Sequence, residues 1–269
     1  MRKTLVALAV TALVVAPLTA AEAAPSRYKV SVGSSDKTLD LTSDDGTNRT
    51  TVIKGRVRGG SVKGTKVYVY AANTSARNQS FRYIGSDRVS SKGRFAKKWK
   101  PRDGGSYVVK VVKRKGKGRA EGTGTTRVNV FQFVSLSNFY VPAASSGVSR
   151  VDKEGSINGQ NWSTAYQVEP GGSAVFATQG FRCLRINFKI GVADAARNGS
   201  GSFRVGQGSR TILAGSHAFG QSFIQPATSQ QKRMTASLPV SVSVASSAPF
   251  VLGLPKAACT YPIRTAPKG

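Results

Sequence analysis

Few side chains in this sequence are equipped for reaction chemistry. Its one histidine, His217, stands in Gly215-Ser216-His217-Ala218-Phe219-Gly220. A general base also needs an orienting partner and a group to deprotonate, and no neighbouring motif supplies either. We therefore read this segment as a loop and His217 as a packing or surface residue, or at most a ligand contact. Two cysteines, Cys183 and Cys259, cannot complete a zinc finger with one histidine. Asp44-Asp45-Gly46 resembles the start of a calcium loop, but the ladder of further oxygen ligands is missing, so a solvated turn is expected. Glycoside hydrolysis needs two acids facing each other across a cleft. None of the 12 Asp and Glu residues lies in a motif that proposes such a pair. The expectation is a protein without catalysis, metal or cofactor.

Charge is the louder signal. The 269 residues carry 40 Lys and Arg, and the formal net charge is +28. Residues 24–134 hold 25 cations against 7 acids, a net of +18, whereas residues 135–269 hold 13 against 4, a net of +9. The excess is written into strands and turns, not into a tail. Within residues 94–119 lie Lys97, Lys98, Lys100, Arg102, Lys113, Arg114, Lys115, Lys117 and Arg119, opposed by Asp103. If a hairpin gathers them, they form one electropositive patch that holds polyanions by counterion release and weakens steeply with salt. The candidate partners are teichoic acids, acidic or neutral wall and matrix polysaccharides, anionic headgroups or released DNA. No nucleic-acid motif accompanies the charge, so no specific nucleic-acid partner is expected. The plainer alternative is a solvated cationic surface.

Aromatic residues suggest sugar stacking, because a pyranose offers a ring an apolar face. Trp162 and Tyr166, with His217, are one candidate platform, and Tyr68, Tyr70 and Tyr83 are another. Ordinary packing is the competing reading for both sets. Trp99 alternates with Phe95 and is expected in the core.

The elements that must position these groups are strands. Ile53, Gly55 and Val57 alternate with Lys54, Arg56 and Arg58; Val67, Val69 and Ala71 alternate with Tyr68 and Tyr70. Residues 81–84, 94–99, 107–112 and 127–131 add further strands, with turns expected at Gly59-Gly60, Ser91-Lys92-Gly93, Asp103-Gly104-Gly105 and Gly122-Thr123-Gly124. About seven strands in roughly 85 residues is the size of an immunoglobulin-like sandwich. Later strands are expected at 173–177, 185–192, 202–205, 238–244 and 250–254. In the second of these, Ile186, Phe188, Ile190 and Val192 point inward.

Arg2 and Lys3, an apolar run at 5–15 and Ala21-Glu22-Ala23 read as an export signal with cleavage after Ala23. No later segment approaches spanning length, so a secreted chain without a transmembrane segment, held at the cell wall by its ligand, is expected. In an oxidising compartment Cys183 and Cys259 read as one disulfide, with a reactive thiol as the rival. The resulting division is signal 1–23, extension 24–49, a basic sandwich 50–134 and a second β domain 135–269.

Two resemblances refine this division. Gly55-Arg56-Val57, Lys92-Gly93-Arg94-Phe95 and Gly105-Ser106-Tyr107-Val108 resemble the immunoglobulin-like and prealbumin-like repeats of bacterial surface proteins, across residues 50–131. That resemblance implies a spacer or adhesion module. Further on stand Ser156-Ile157-Asn158-Gly159-Gln160, Ser173-Ala174-Val175-Phe176, Phe188-Lys189-Ile190-Gly191-Val192-Ala193-Asp194, Gly201-Ser202-Phe203-Arg204-Val205 and Leu252-Gly253-Leu254. This series is similar to the NPCBM family of carbohydrate-binding modules over residues 136–255. The family's earlier Gly-x-Gly-Val-His segment is replaced by Thr164-Ala165-Tyr166-Gln167-Val168, and Asp194 falls one residue late. The resemblance implies a jelly-roll sandwich that binds glycans. The combined expectation is an all-β, non-catalytic binding protein, with a structural or protein-interaction module as the alternative.

Overall fold

The structure, a computed structural model, describes residues 26–42, 48–227, 231–232 and 234–267. The expected export signal and Asp44-Asp45-Gly46 lie outside them. The protein is an all-β sandwich. In chain order the strands are β1 (Lys29–Ser34), β2 (Thr38–Asp40), β3 (Thr51–Arg58), β4 (Lys66–Asn73), β5 (Arg82–Arg88), β6 (Arg94–Trp99), β7 (Gly105–Lys113) and β8 (Gly122–Ser135). They continue as β9 (Ser146–Arg150), β10 (Ser156–Ile157), β11 (Gln160–Asn161), β12 (Ala165–Phe176), β13 (Cys183–Val192), β14 (Ser200–Gln207), β15 (Arg210–Ala218), β16 (Val240–Ser246) and β17 (Phe250–Cys259).

In the first half, β1, β3 and β6 form one layer, packed on β8, β7, β4 and β5. Alternation decides the faces: Ile53, Val57, Phe95 and Trp99 meet Val67, Val69, Val109, Val111, Val128 and Val130 in a dry core. The described part of the expected extension is more than that, because β1 pairs along β3 and β2 pairs parallel to β8. Gly122-Thr123-Gly124, expected as a turn, is strand. A Cβ at Gly122 would come within 2.1 Å of the Tyr28 carbonyl oxygen, and one at Gly124 within 2.4 Å of that of Val30. These glycines admit β1 to close packing and do not bend the chain.

In the second half, β12 is shared by two layers. Its first part pairs with β9 and β17, and after the irregularity between Val168 and Ser173 it pairs with β16. A strand that changes sheet at a break is one way to close a sandwich corner. Ile186, Phe188, Ile190 and Val192 are buried as expected, against Phe176, Phe203, Val205, Val240, Val242 and Phe250. Cys183 and Cys259 are direct partners across β13 and β17 and are joined by a disulfide, with no free cysteine among the described residues. No helix among the described residues is long and apolar enough to cross a membrane.

The halves are continuous. β8 pairs with β7 along its start and with β17 through Gln132–Ser135, crossing the expected boundary at 134. Arg185 forms an ion pair with Asp40 at 2.7 Å and donates to the Thr42 hydroxyl. The segment after β17 returns to the first half, where the Arg77 N–H donates to the Ala266 carbonyl at 2.8 Å.

Candidate polyanion interface

Register gathers positive charge on the outer face of the β1–β3–β6 layer. Residues alternating with Ile53 and Val57 must point away from the core, which exposes Lys54, Arg56 and Arg58. Across the ladders, Arg58 stands opposite Lys29, Arg56 opposite Arg94, and Val52 opposite Lys98. Six cations thus share one face of three strands. An open trough of about 660 Å³ crosses it, lined by Lys54, Arg56, Arg88 and Arg94 with the Ser31 and Asp87 side chains beside them. Asp87 is already engaged, since its carboxylate accepts the Ala96 N–H at 2.6 Å. Gly55 lies in the trough wall and has no room for a side chain, since a Cβ there would lie 1.9 Å from the Ser31 carbonyl oxygen and 2.7 Å from the Phe95 ring.

The cations of residues 94–119 are dispersed, contrary to the single patch expected. Lys98 belongs to the β1–β3–β6 face. Its neighbour Lys97 is on the inner side of β6, and its stem covers Gly85, where a Cβ would lie 2.4 Å from Cε. Lys100 and Arg102 sit in the turn before β7, while Arg114, Lys115, Lys117 and Arg119 follow its other end. Nine residues of strand separate the two turns by about 27 Å. Lys113 is 6% exposed, lies 4.6 Å from the Tyr28 ring centre and donates to the Arg114 carbonyl. Burial lowers its pKa, and it offers nothing to an outside polymer. Arg119 is turned to the Ser26 hydroxyl at 2.9 Å.

The opposite outer face, on β8–β7–β4–β5, carries rings and cations together. Tyr68, Tyr70 and Tyr83 are brought side by side, with the Tyr70 and Tyr83 centroids 5.7 Å apart. Arg114 lies 4.1 Å over Tyr68, and Lys110 lies 5.3 Å from the Phe81 centroid. Tyr83 is 57% exposed and Phe81 45%. This second sequence-derived platform is therefore open to solvent at Tyr83, with Tyr68 and Tyr70 half-buried.

The first platform is not. Tyr166 is 1% exposed, packed on Tyr140 and Phe176. Trp162 is 8% exposed; it meets Phe223 edge to face at 5.6 Å and fills the space above Gly253, where a Cβ would come 2.5 Å from the indole. Neither offers a free face for a sugar. His217 is in β15, not a loop, and is 3% exposed. Its Nδ1 accepts the Val192 N–H at 3.1 Å, which leaves Nε2 to donate to the Ser222 carbonyl at 3.0 Å. With both ring nitrogens engaged, it is a structural tie between strands. Asp194 also serves the fold. Burial pushes its pKa up, but the Gly159 N–H, the Ser156 hydroxyl and the Asn158 N–H outweigh that and hold it below the usual carboxylate range. It thereby clamps the Asn158-Gly159 turn, where both residues have positive φ. Among the described residues no group of three or more His, Cys, Asp or Glu is placed to hold a metal ion.

Sequence reasoning passed over Lys29, Arg88 and Arg94 as binding residues, and used Lys54, Arg56 and Arg58 only to recognise a strand. The alternation that exposed the last three was the available signal; the partner across each ladder was not. No protein-family model matches the chain, and no curated protein matches it in sequence.

Proposed function

We propose that this chain is an exported, non-catalytic binding protein that grips an anionic polysaccharide of the cell envelope or matrix along the β1–β3–β6 face. The observation that carries the reading is the register of Arg56 against Arg94, both lining a trough whose carboxylate is already bonded, with Lys29 against Arg58 on the same outer face. Like charges held directly opposite one another cost stability, and a polyanion would offset that cost by supplying the counter-charge. The extended trough suits a linear polymer.

The test is retention on immobilised polygalacturonate at two salt concentrations, beside a neutral dextran resin. Retention on the acidic resin alone, lost at moderate salt and reduced in Lys54→Gln/Arg56→Gln/Arg94→Gln, is the expected result. Equal retention of wild type and triple variant would remove the trough from the account. A second reading, a structural or protein-interaction module without sugar binding, is favoured by the exposed Phe81 and Tyr83 rings on the opposite face. It gains if the chain is retained on neither resin.

A further inference from the structure

One end of the first sandwich opens into a cavity of about 700 Å³, within the size range of small-molecule sites. Trp99 and Tyr107 lie at the mouth of the core there, meeting edge to face with centroids 5.2 Å apart. Burial and then the Asp103 charge push the Tyr107 phenol up to about 12, so it stays neutral and donates to the Asp103 carbonyl at 3.0 Å.

Four cations line this cavity: Arg82 from β5, Lys100 and Arg102 from the turn before β7, and Arg264 from the returning C-terminal segment. None of them forms an ion pair among the described residues. The carboxylate in the same lining is occupied by other donors. Buried Asp103 accepts from Gln132 Nε2 at 2.8 Å, the Ile263 N–H at 2.8 Å, the Arg264 N–H at 3.2 Å and Thr265 Oγ1 at 3.1 Å. A carboxylate has about four lone-pair sites, and these donors occupy them. Its negative charge remains, so against the four cations the lining keeps a net of about three positive charges for something else.

The rest of the lining narrows what that something is. Tyr83, more than half exposed, presents a ring at the rim, and Asn78 and Ser80 beside it add amide and hydroxyl groups. A ring takes the apolar face of a pyranose, amides and hydroxyls take its hydroxyls, and guanidinium groups take a planar anion. We infer that this cavity is a subsite for one acidic sugar unit, a pyranose bearing a carboxylate or sulfate, assembled only when the C-terminal segment docks on the first sandwich. The inference rests on the reading that the chain binds anionic polysaccharide, but it concerns a site separate from the trough.

Titration calorimetry on the full chain tests it, with trigalacturonate, a sulfated uronate disaccharide, neutral maltotriose and adenosine monophosphate as probes. One or both acidic sugars should bind, and which of them binds identifies the anion. Maltotriose should bind at least about tenfold more weakly, and Arg82→Gln/Arg102→Gln should lose about tenfold in affinity for the acidic sugar. Tyr83→Ala should lose about fivefold, whereas the trough triple variant should bind these small probes as wild type does. Equal binding of maltotriose, tighter binding of the nucleotide, or indifference to the Arg82→Gln/Arg102→Gln change would each overturn the inference. Retention on polygalacturonate resin without binding of either acidic probe sinks the cavity and spares the trough. Binding of a probe without retention on resin does the reverse.

Discussion

The two halves use their aromatic residues in opposite ways. The second half turns Phe139, Tyr166, Phe176, Phe188, Phe203 and Phe250 into one core and locks two strands of that core with a disulfide. The first half has a smaller core, with Tyr28, Phe95 and Trp99 as its buried rings, and leaves Tyr68, Tyr70, Phe81 and Tyr83 on an outer face among cations. It also carries twice the net charge, +18 against +9. Rings placed in a core serve stability, and rings beside unpaired cations on a sheet surface are available to a ligand. Under the proposed function, the contrast would assign support to the second half and contact to the first.

The sharpest way to break this contrast is to remove one ring from each half. Tyr166→Ala should cost about 3–5 kcal/mol, because a fully buried ring leaves a cavity. Tyr83→Ala should stay within about 0.5 kcal/mol, as expected for an exposed position. Urea denaturation of the two variants measures both. Comparable losses would mean that the first-half rings are core in all but name.

Removing the disulfide comes next. Cys183→Ser/Cys259→Ser releases a loop of 76 residues, which the chain-entropy account values at about 4 kcal/mol. The thermal midpoint should fall, while retention on polygalacturonate at 25 °C stays unchanged as long as circular dichroism shows the variant folded. Weaker retention by a folded variant would show that the second half is more than a support.

A smaller effect is expected at the seam. Asp103→Ala strips the acceptor from Ile263, Arg264 and Thr265 together and leaves Gln132 with the Tyr261 carbonyl alone. Fully buried donors left without partners cost about 1–3 kcal/mol, and these part-buried ones should cost less. Limited proteolysis should then cut the segment after Cys259 faster than in wild type. An unchanged cutting rate would mean that the segment is held by something other than this carboxylate.

How much of this was legible depends on which physical quantity fixes each feature. Alternation fixes a face, so the inward set of Ile186, Phe188, Ile190 and Val192 and the outward set of Lys54, Arg56 and Arg58 could be read directly. The cysteine pair could be read from the expected export signal and arithmetic. Alternation does not fix which end of a strand a turn occupies, and so Lys100 and Arg102 parted from Arg114, Lys115 and Lys117 by the length of β7. Nor does composition separate a ring on a core from a ring on a surface: Trp162 and Tyr166 stand among polar residues in sequence, yet Gly253 makes room for one and Phe176 packs against the other. The saturation of Asp103 joins positions about 160 residues apart, and no local pattern announces it.

The smallest effect discriminates best, because its sign differs from the others. Arg56 and Arg94 face each other directly across the β3–β6 ladder, where like charges are mutually destabilising by up to about 1 kcal/mol. Arg56→Gln/Arg94→Gln should therefore raise stability slightly while weakening retention on the acidic polymer. The slope of log affinity against log salt should also become shallower, by about 0.7 for each charge removed if the polymer behaves like a single-stranded polyanion. A side chain kept for the fold loses stability when it is neutralised, and one kept for a ligand loses binding. If neutralising the pair lowers stability and leaves the salt slope unchanged, the two arginines belong to the architecture, and the division of labour between the halves fails at the face on which it depends most.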